Sequence, residues 1–189
     1  MIPAPRRNRP YLFWIILSLP AIAMVAAALA GIRFAYNNVT GMVAGVFLAA
    51  TLFVTPLLRL LGPVAWLRGN VRRHLGVASF VYSLLHLAAW LARATLEDVL
   101  YSFLRPEIVT GWIALAIMFP LALTSTDRSV RRMGPGWKAL HRWVYLAALL
   151  TLAHWYLAGV WIRTMVAMSV PLVALGLWRL WRFQARATR

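Results

Sequence analysis

Four histidines are the residues of this chain whose type and spacing indicate chemistry. They are His74, His86, His141 and His154. The first and third begin apolar stretches that are long enough to cross a bilayer, and the other two lie inside those stretches. Thirteen residues separate His141 from His154, which corresponds to about 20 Å along a helix at a rise of about 1.5 Å per residue. Since an ionisable side chain inside a membrane span is functional by default, the sequence predicts two sites at two depths.

The composition restricts the chemistry of these sites. The chain contains no cysteine, which excludes thiolate zinc sites, iron–sulfur clusters and thiolate-ligated or c-type haem. Metal chemistry must therefore use histidine, methionine or oxygen ligands. The acidic residues are few and fall in predicted loops. They are Glu97, Asp98, Glu107 and Asp127. Because proton-coupled transport usually needs a carboxylate inside the membrane, the sequence disfavours a transporter.

The elements that position the histidines are predicted to be membrane helices. The chain has 189 residues, is 62% hydrophobic and has a mean hydropathy of +0.73, so we expect an all-α integral membrane protein. A single domain over residues 1–189 is predicted to form a six-helix transmembrane bundle. The predicted spans are about 11–31, 42–60, 75–92, 108–124, 142–161 and 164–181. The first is read as a span and not as a cleavable signal peptide, because its apolar run is long.

The distribution of positive charge predicts the orientation of the bundle. Of the 20 Lys and Arg residues, all but Arg33, Arg93, Arg105 and Arg163 fall in the N-terminus, the loops 59–73 and 128–142, or the tail. The positive-inside rule then places both termini in the cytoplasm. It also explains the formal charge of +16 without nucleic acid as a partner.

Three further features were predicted from residue type. The acidic segment 93–107 is expected to form an interfacial helix, and 124–138 a polar, basic loop broken by Gly-Pro-Gly. The aromatic residues beside His154 are expected to form an interfacial belt. They are Trp155, Tyr156 and Trp161.

With the orientation set, the histidines sort by depth. His86 and His154 share an outer level, and His141 shares an inner level with Arg72 and His74. Rotation about the helix axis distinguishes the two inner candidates: on an ideal helix Arg72 lies about 40° from His86, and His74 about 120°. A membrane histidine is most often an interhelical hydrogen-bond partner, but the match in depth across two spans favours a porphyrin iron held by two imidazoles. Whether Arg72 or His74 serves the inner level remains open.

An ordered set of short segments resembles a known family. The segments are TG at 40–41, LAATLFVTPLLRLLG at 48–62, RRHLG at 72–76, LLHLAAW at 84–90, LALTST at 121–126 and WKALHRWVYLAALLTLAHWYL at 137–157. Together they resemble the MsrQ (YedZ) family, the haem-binding membrane subunits of the bacterial periplasmic methionine sulfoxide reductase system. More distantly, the layout is similar to the transmembrane domain of ferric reductases and NADPH oxidases.

The resemblance implies particular cofactor ligands. It implies one or two haem b groups, with His86, His141 and His154 matching the haem and metal ligands of the family. Arg72 matches the position where oxidase relatives carry a fourth histidine, and His74 departs from the pattern as a second candidate for the inner site.

The resemblance also implies a place in a redox chain. The implied role is electron transfer across the bacterial inner membrane to a periplasmic molybdopterin methionine sulfoxide reductase, as an electron-transfer subunit and not the catalytic one. The printed sequence contains no G-x-G-x-x-G motif, so electrons are expected from the quinone pool or a cytosolic flavin reductase, with FMN implied by the family. The alternatives are another b-type cytochrome (a ferric or quinone-linked reductase) or a haem-free scaffold or permease.

Overall fold

The computed structural model describes residues 10–31, 36–60, 70–159 and 177. Within these residues every regular element is a helix, in agreement with the predicted all-α class. The helices are α1 (Pro10–Leu29), α2 (Tyr36–Leu60), α3 (Val71–Leu91), α4 (Leu96–Ser102), α5 (Pro106–Leu123), α6 (Asp127–Met133), α7 (Pro135–His141) and α8 (Val144–Leu157). The predicted sixth span, 164–181, lies outside the described residues apart from Leu177.

Several of these helices have the dimensions of membrane spans. Three stretches are long and apolar enough to cross a membrane, namely Asn38–Leu58, Val71–Leu91 and Pro106–Leu123. A shorter apolar stretch, Leu12–Ala27, lies in α1. Together with α8, these helices lie where the first five spans are predicted. Six crossings and cytoplasmic termini stay predictions.

The long helices pack as two antiparallel pairs, α2 with α3 and α5 with α8. A shared core joins the pairs. Its buried residues are Leu48 and Leu52 of α2, Met118 and Leu121 of α5, and Val144, Ala147 and Ala148 of α8. Ala147 is fully buried, as expected where small residues let membrane helices approach closely. One end of the bundle holds the start of α2 and α5 and the end of α3 and α8. We call it the outer end, because loop charge predicts that it faces away from the cytoplasm.

A tyrosine of α3 forms hydrogen bonds with the backbone of α1 next to Pro20. The hydroxyl of Tyr82 donates to the carbonyl oxygen of Leu17 at 3.0 Å and accepts from the backbone N–H of Ala21 at 2.8 Å. These two backbone groups are four residues apart and would normally bond to each other within a helix. Pro20 lies inside α1, where a proline favours a kink, and insertion of a side chain into the helical ladder is another recognised cause of kinks.

The segments that connect the long helices contain more helix than the sequence predicts. The helix expected within 93–107 is α4, whose N-terminus has a capping box between Thr95 and Asp98. The segment 124–138 was predicted to be a loop, and this is wrong: it contains α6 and most of α7. Thr126 caps α6 by accepting from the N–H of Ser129, and Gly134, at φ 51°, separates the two helices.

An ion pair fastens this segment to the bundle. The guanidinium of Arg73 at the inner end of α3 donates to the carboxylate of Asp127 at the start of α6. This hydrogen bond and the charge of Arg73 lower the pKa of Asp127 below its usual value. The carboxylate therefore stays ionised at neutral pH, and the pair weakens only as the pH falls through that lowered pKa.

Candidate functional site

His86 and His154 face each other across the bundle. Their ring centroids are 6.1 Å apart and their planes cross at 77°. His86 lies on α3 and His154 on α8, so the two rings come from different helix pairs. The sequence predicts their common depth, and the structure brings them into contact.

A cavity of about 340 Å³ adjoins both rings. Its walls come from α2, α3, α5 and α8, and most of the lining side chains are apolar. The polar side chains among them include Asn38, Ser83 and Thr151. This volume lies within the range of about 300–1,000 Å³ that is usual for small-molecule and cofactor sites.

Two glycines give the histidine rings their room. A Cβ at Gly41 of α2 would lie 3.0 Å from Nδ1 of His86, and a Cβ at Gly111 of α5 would lie 3.2 Å from Nδ1 of His154. Each imidazole therefore packs against the bare backbone of its facing helix. The quoted T-G pair includes Gly41, whereas no sequence signal singled out Gly111.

A backbone hydrogen bond sets the tautomer of His154. Its Nδ1 lies 2.6 Å from the carbonyl oxygen of Glu107 at the start of α5. Because a carbonyl only accepts, Nδ1 carries the hydrogen and the lone pair of a neutral ring is on Nε2. Metal-binding histidines usually donate the hydrogen of their other ring nitrogen in this way, to a carbonyl or a carboxylate. The carboxylate of Glu107 is occupied elsewhere, in an ion pair with Arg105 at 2.7 Å.

The pair fits a porphyrin iron better than a metal ion held by protein alone. With metal–nitrogen bonds of about 2 Å, two imidazoles on opposite sides of one metal have centroids about 6 Å apart, close to the observed 6.1 Å. Protein-only sites need three or four ligands, and among the described residues no group of three His, Cys, Asp or Glu side chains could hold a metal ion. Two imidazoles suffice where a macrocycle supplies the other ligands.

His141 lies apart from this cavity, at the inner end. Its Nε2 is 3.1 Å from the hydroxyl of Thr124, and its ring stacks on Trp137 with centroids 3.9 Å apart. The charges of Arg72 and Arg73 act on the imidazole. The Arg72 guanidinium also donates to the hydroxyl of Thr55 at 3.4 Å.

His74 turns to a different neighbour. Its ring stacks on Phe13 of α1 at 5.8 Å and meets Trp14 edge-on at 5.1 Å. Its Nδ1 is buried and has no hydrogen-bond partner among the described residues. Of the two candidates for the inner site, the charge of Arg72 acts on His141, as that of Arg73 also does, and the ring of His74 packs against α1.

The aromatic belt predicted beside His154 is wrong for Trp155. This side chain is only 6% exposed, and its ring occupies the space beside Gly45 of α2, where an added Cβ would overlap it. The absence of a side chain at Gly45 thus leaves room for the indole inside the bundle, away from the lipid boundary. Tyr156 is 70% exposed, as a belt residue should be, and Trp161 lies outside the described residues.

Comparison with known proteins defines the class. Residues 40–152 match the family described as "Ferric reductase like transmembrane component", and this range includes His86 and the inner His141 and ends two residues before His154. The family match and the apolar helices together make the chain a multi-pass membrane protein. No solved structure matches the chain.

Curated relatives narrow the class further. A protein of Ralstonia nicotianae is 34% identical over 189 aligned residues, which cover 89% of this chain and 84% of the relative. Proteins of Brucella ovis and Brucella suis are each 36% identical over 155 residues, covering 78% of this chain and 68% of theirs. All three are named "Protein-methionine-sulfoxide reductase heme-binding subunit MsrQ". The chain belongs to the MsrQ family.

Proposed function

We propose that this chain is the haem b-binding membrane subunit of a methionine sulfoxide reductase system. In this role it passes electrons across the bacterial inner membrane to a periplasmic, molybdopterin-containing reductase. The observation that carries the proposal is the pair His86 and His154, whose centroids are 6.1 Å apart beside a cavity of about 340 Å³. The haem-binding role in the names of the relatives supports the same assignment.

The chain's own residues would hold the cofactor and set its properties. His86 and His154 would hold the haem iron at the outer end, and the carbonyl of Glu107 keeps His154 in the tautomer whose Nε2 is free of hydrogen. When bound, the haem supplies one-electron redox chemistry between its ferrous and ferric forms. The lining of the cavity is mostly apolar, and an apolar shell around a site helps to set its redox potential.

The inner end would receive the electrons. His141 with Arg72 forms the proposed inner site, which either binds a second haem or tunes the outer one by charge. The proposed donors are the quinone pool or a cytosolic flavin reductase, with FMN as a further cofactor. Reduction of one sulfoxide to the thioether takes two electrons and two protons and releases water, so the subunit would deliver two electrons in succession for each repaired methionine.

A second candidate is a ferric or quinone-linked b-type cytochrome, favoured by the description of the matching family. One experiment tests both. The protein purified in detergent is reduced with dithionite, its reduced-minus-oxidised spectrum is recorded, and it is then mixed with a periplasmic methionine sulfoxide reductase and its substrate. We expect a b-type Soret and α-band change and rapid reoxidation by the reductase. A flat spectrum excludes both candidates, and reoxidation by ferric chelates alone favours the second.

Thr110 should influence the redox potential through the carbonyl of Glu107. Its hydroxyl donates to that carbonyl at 2.9 Å, shared with the carbonyl of Pro106 at 3.0 Å, in addition to the Nδ1–H of His154. Without the hydroxyl, the carbonyl becomes a better acceptor and His154 a more electron-donating ligand, which stabilises ferric iron. We therefore expect Thr110→Val to lower the midpoint potential by tens of millivolts, since about 1 kcal/mol corresponds to about 40 mV for one electron.

The matched control is Thr151→Val. Thr151 also lines the cavity, but its hydroxyl donates to the carbonyl of Ala147 at 2.8 Å, which is not the acceptor of His154. Potentiometric titration followed at the α-band compares the two variants with the wild type. A potential that rises in Thr110→Val, or equal shifts in both variants, would contradict this account of the Glu107 carbonyl.

A further inference from the structure

One hydrogen-bond donor at the cavity lacks an acceptor. Nε1 of Trp112 on α5 is buried and has no partner among the described residues. The same side chain lines the cavity that adjoins His86 and His154. It follows Gly111, the glycine against which the ring of His154 packs.

A buried donor without an acceptor indicates that a ligand binds beside it. Buried indole N–H groups usually find a partner, because burial without one forfeits the hydrogen bond to water. The indole nitrogen only donates, so a ligand that satisfies it must bring an acceptor to Nε1. The ring itself is held by a contact with Phe103, at a centroid distance of 5.8 Å.

The chemistry of the proposed cofactor restricts the acceptor. In haem b the four ring nitrogens are bound to iron, and the methyl and vinyl groups offer no acceptor. The two propionate carboxylates remain, and a carboxylate accepts a stronger hydrogen bond than a neutral group. Trp112 lies two turns or less from the start of α5, near the outer end, where Asn38 at the start of α2 and Trp90 at the end of α3 also line the cavity.

We propose that Nε1–H of Trp112 binds a propionate carboxylate of the cofactor. This inference rests on the proposed function, and it adds a residue that neither spacing nor family resemblance singled out. Trp112 anchors the edge of the cofactor through its carboxylate, whereas the two histidines bind its metal. The anchor also fixes which way the cofactor turns within the cavity.

The test compares two porphyrins in the full-length protein prepared without haem. One is haem b, and the other is iron etioporphyrin, whose side chains are all alkyl. Trp112→Phe keeps an aromatic ring against Phe103 and removes the donor together with part of the ring volume, and the comparison of the two porphyrins separates these two effects. We expect it to weaken haem b binding by about 10-fold, the effect of losing one hydrogen bond to a charged group, and to leave iron etioporphyrin binding within about twofold of the wild type.

Trp143→Phe is the matched control, because Trp143 is 52% exposed and does not line the cavity. If Trp112→Phe does not fold, Trp112→Leu replaces it. Equal losses for both porphyrins would show a packing role and overturn the inference, as would unchanged binding of haem b. Wild-type protein that binds neither porphyrin overturns the proposed function as well, whereas normal wild-type binding with an unaffected Trp112→Phe variant overturns this inference alone.

Discussion

His86→Ala and His154→Ala should each remove one haem per protein. Each imidazole is expected to supply one axial ligand of the same iron, and the alanine variants leave nothing in its place. Loss of a direct ligand exceeds the 10- to 100-fold loss of affinity that is typical for second-shell residues. The measurement is the haem-to-protein ratio of the purified variants, together with the reduced-minus-oxidised spectrum. Tyr156→Ala, at a 70% exposed position on the same helix, should keep the wild-type ratio.

The double variant sharpens this prediction. If His86 and His154 hold one iron, the double variant loses no more haem than either single variant, because residues that act as a unit are not additive. Additive losses would mean that the two histidines serve separate groups. His141→Ala combined with His154→Ala distinguishes a second haem from an inner tuning site, since only a second haem gives a further loss.

The sequence predicted depth better than facing, for a physical reason. Helical rise converts a number of residues into a distance along the axis, so the common level of His86 and His154 followed from spacing and loop charge. Rotation about the axis depends on what each helix meets, and those contacts involve distant parts of the chain. Gly111 and Glu107, for example, contact His154 across more than forty residues of sequence.

At the inner level, too, spacing predicted the depth of each side chain but not its contacts. Periodicity favours Arg72 over His74 as the group aligned with His86. The structure packs His74 on Phe13, and the assignment of Arg72 to the inner site stays a prediction. The stacking partner could not be predicted, because nothing in the spacing of α1 relates it to α3. The burial of Trp155 could not be predicted either. An indole near a membrane surface usually belongs to the aromatic belt, and the space that this one fills is left by Gly45 on another helix.

Gly45→Ala should destabilise the bundle strongly. The new Cβ would lie 2.2 Å from Cζ2 and 2.5 Å from Cη2 of Trp155, well inside van der Waals contact. Because the indole is buried, the new methyl group fits only if α2 moves away from α8 or the side chain of Trp155, next to His154, rotates. Overpacking of this kind typically costs about 1–3 kcal/mol, and each kcal/mol lowers the melting temperature by about 2–4 °C in a chain of this length.

The control for this prediction is Gly76→Ala, since a Cβ there would lie 3.6 Å from Cγ2 of Thr51, an ordinary contact. Its melting temperature should equal or slightly exceed that of the wild type, because alanine loses less entropy than glycine in a helix. Adding Trp155→Phe to Gly45→Ala should restore part of the lost stability, because the smaller ring vacates the space that the methyl group needs. Without such a rescue, the overlap with Trp155 is not the cause. With such a rescue, the space that Gly45 leaves for the buried ring of Trp155 is what the alanine variant loses.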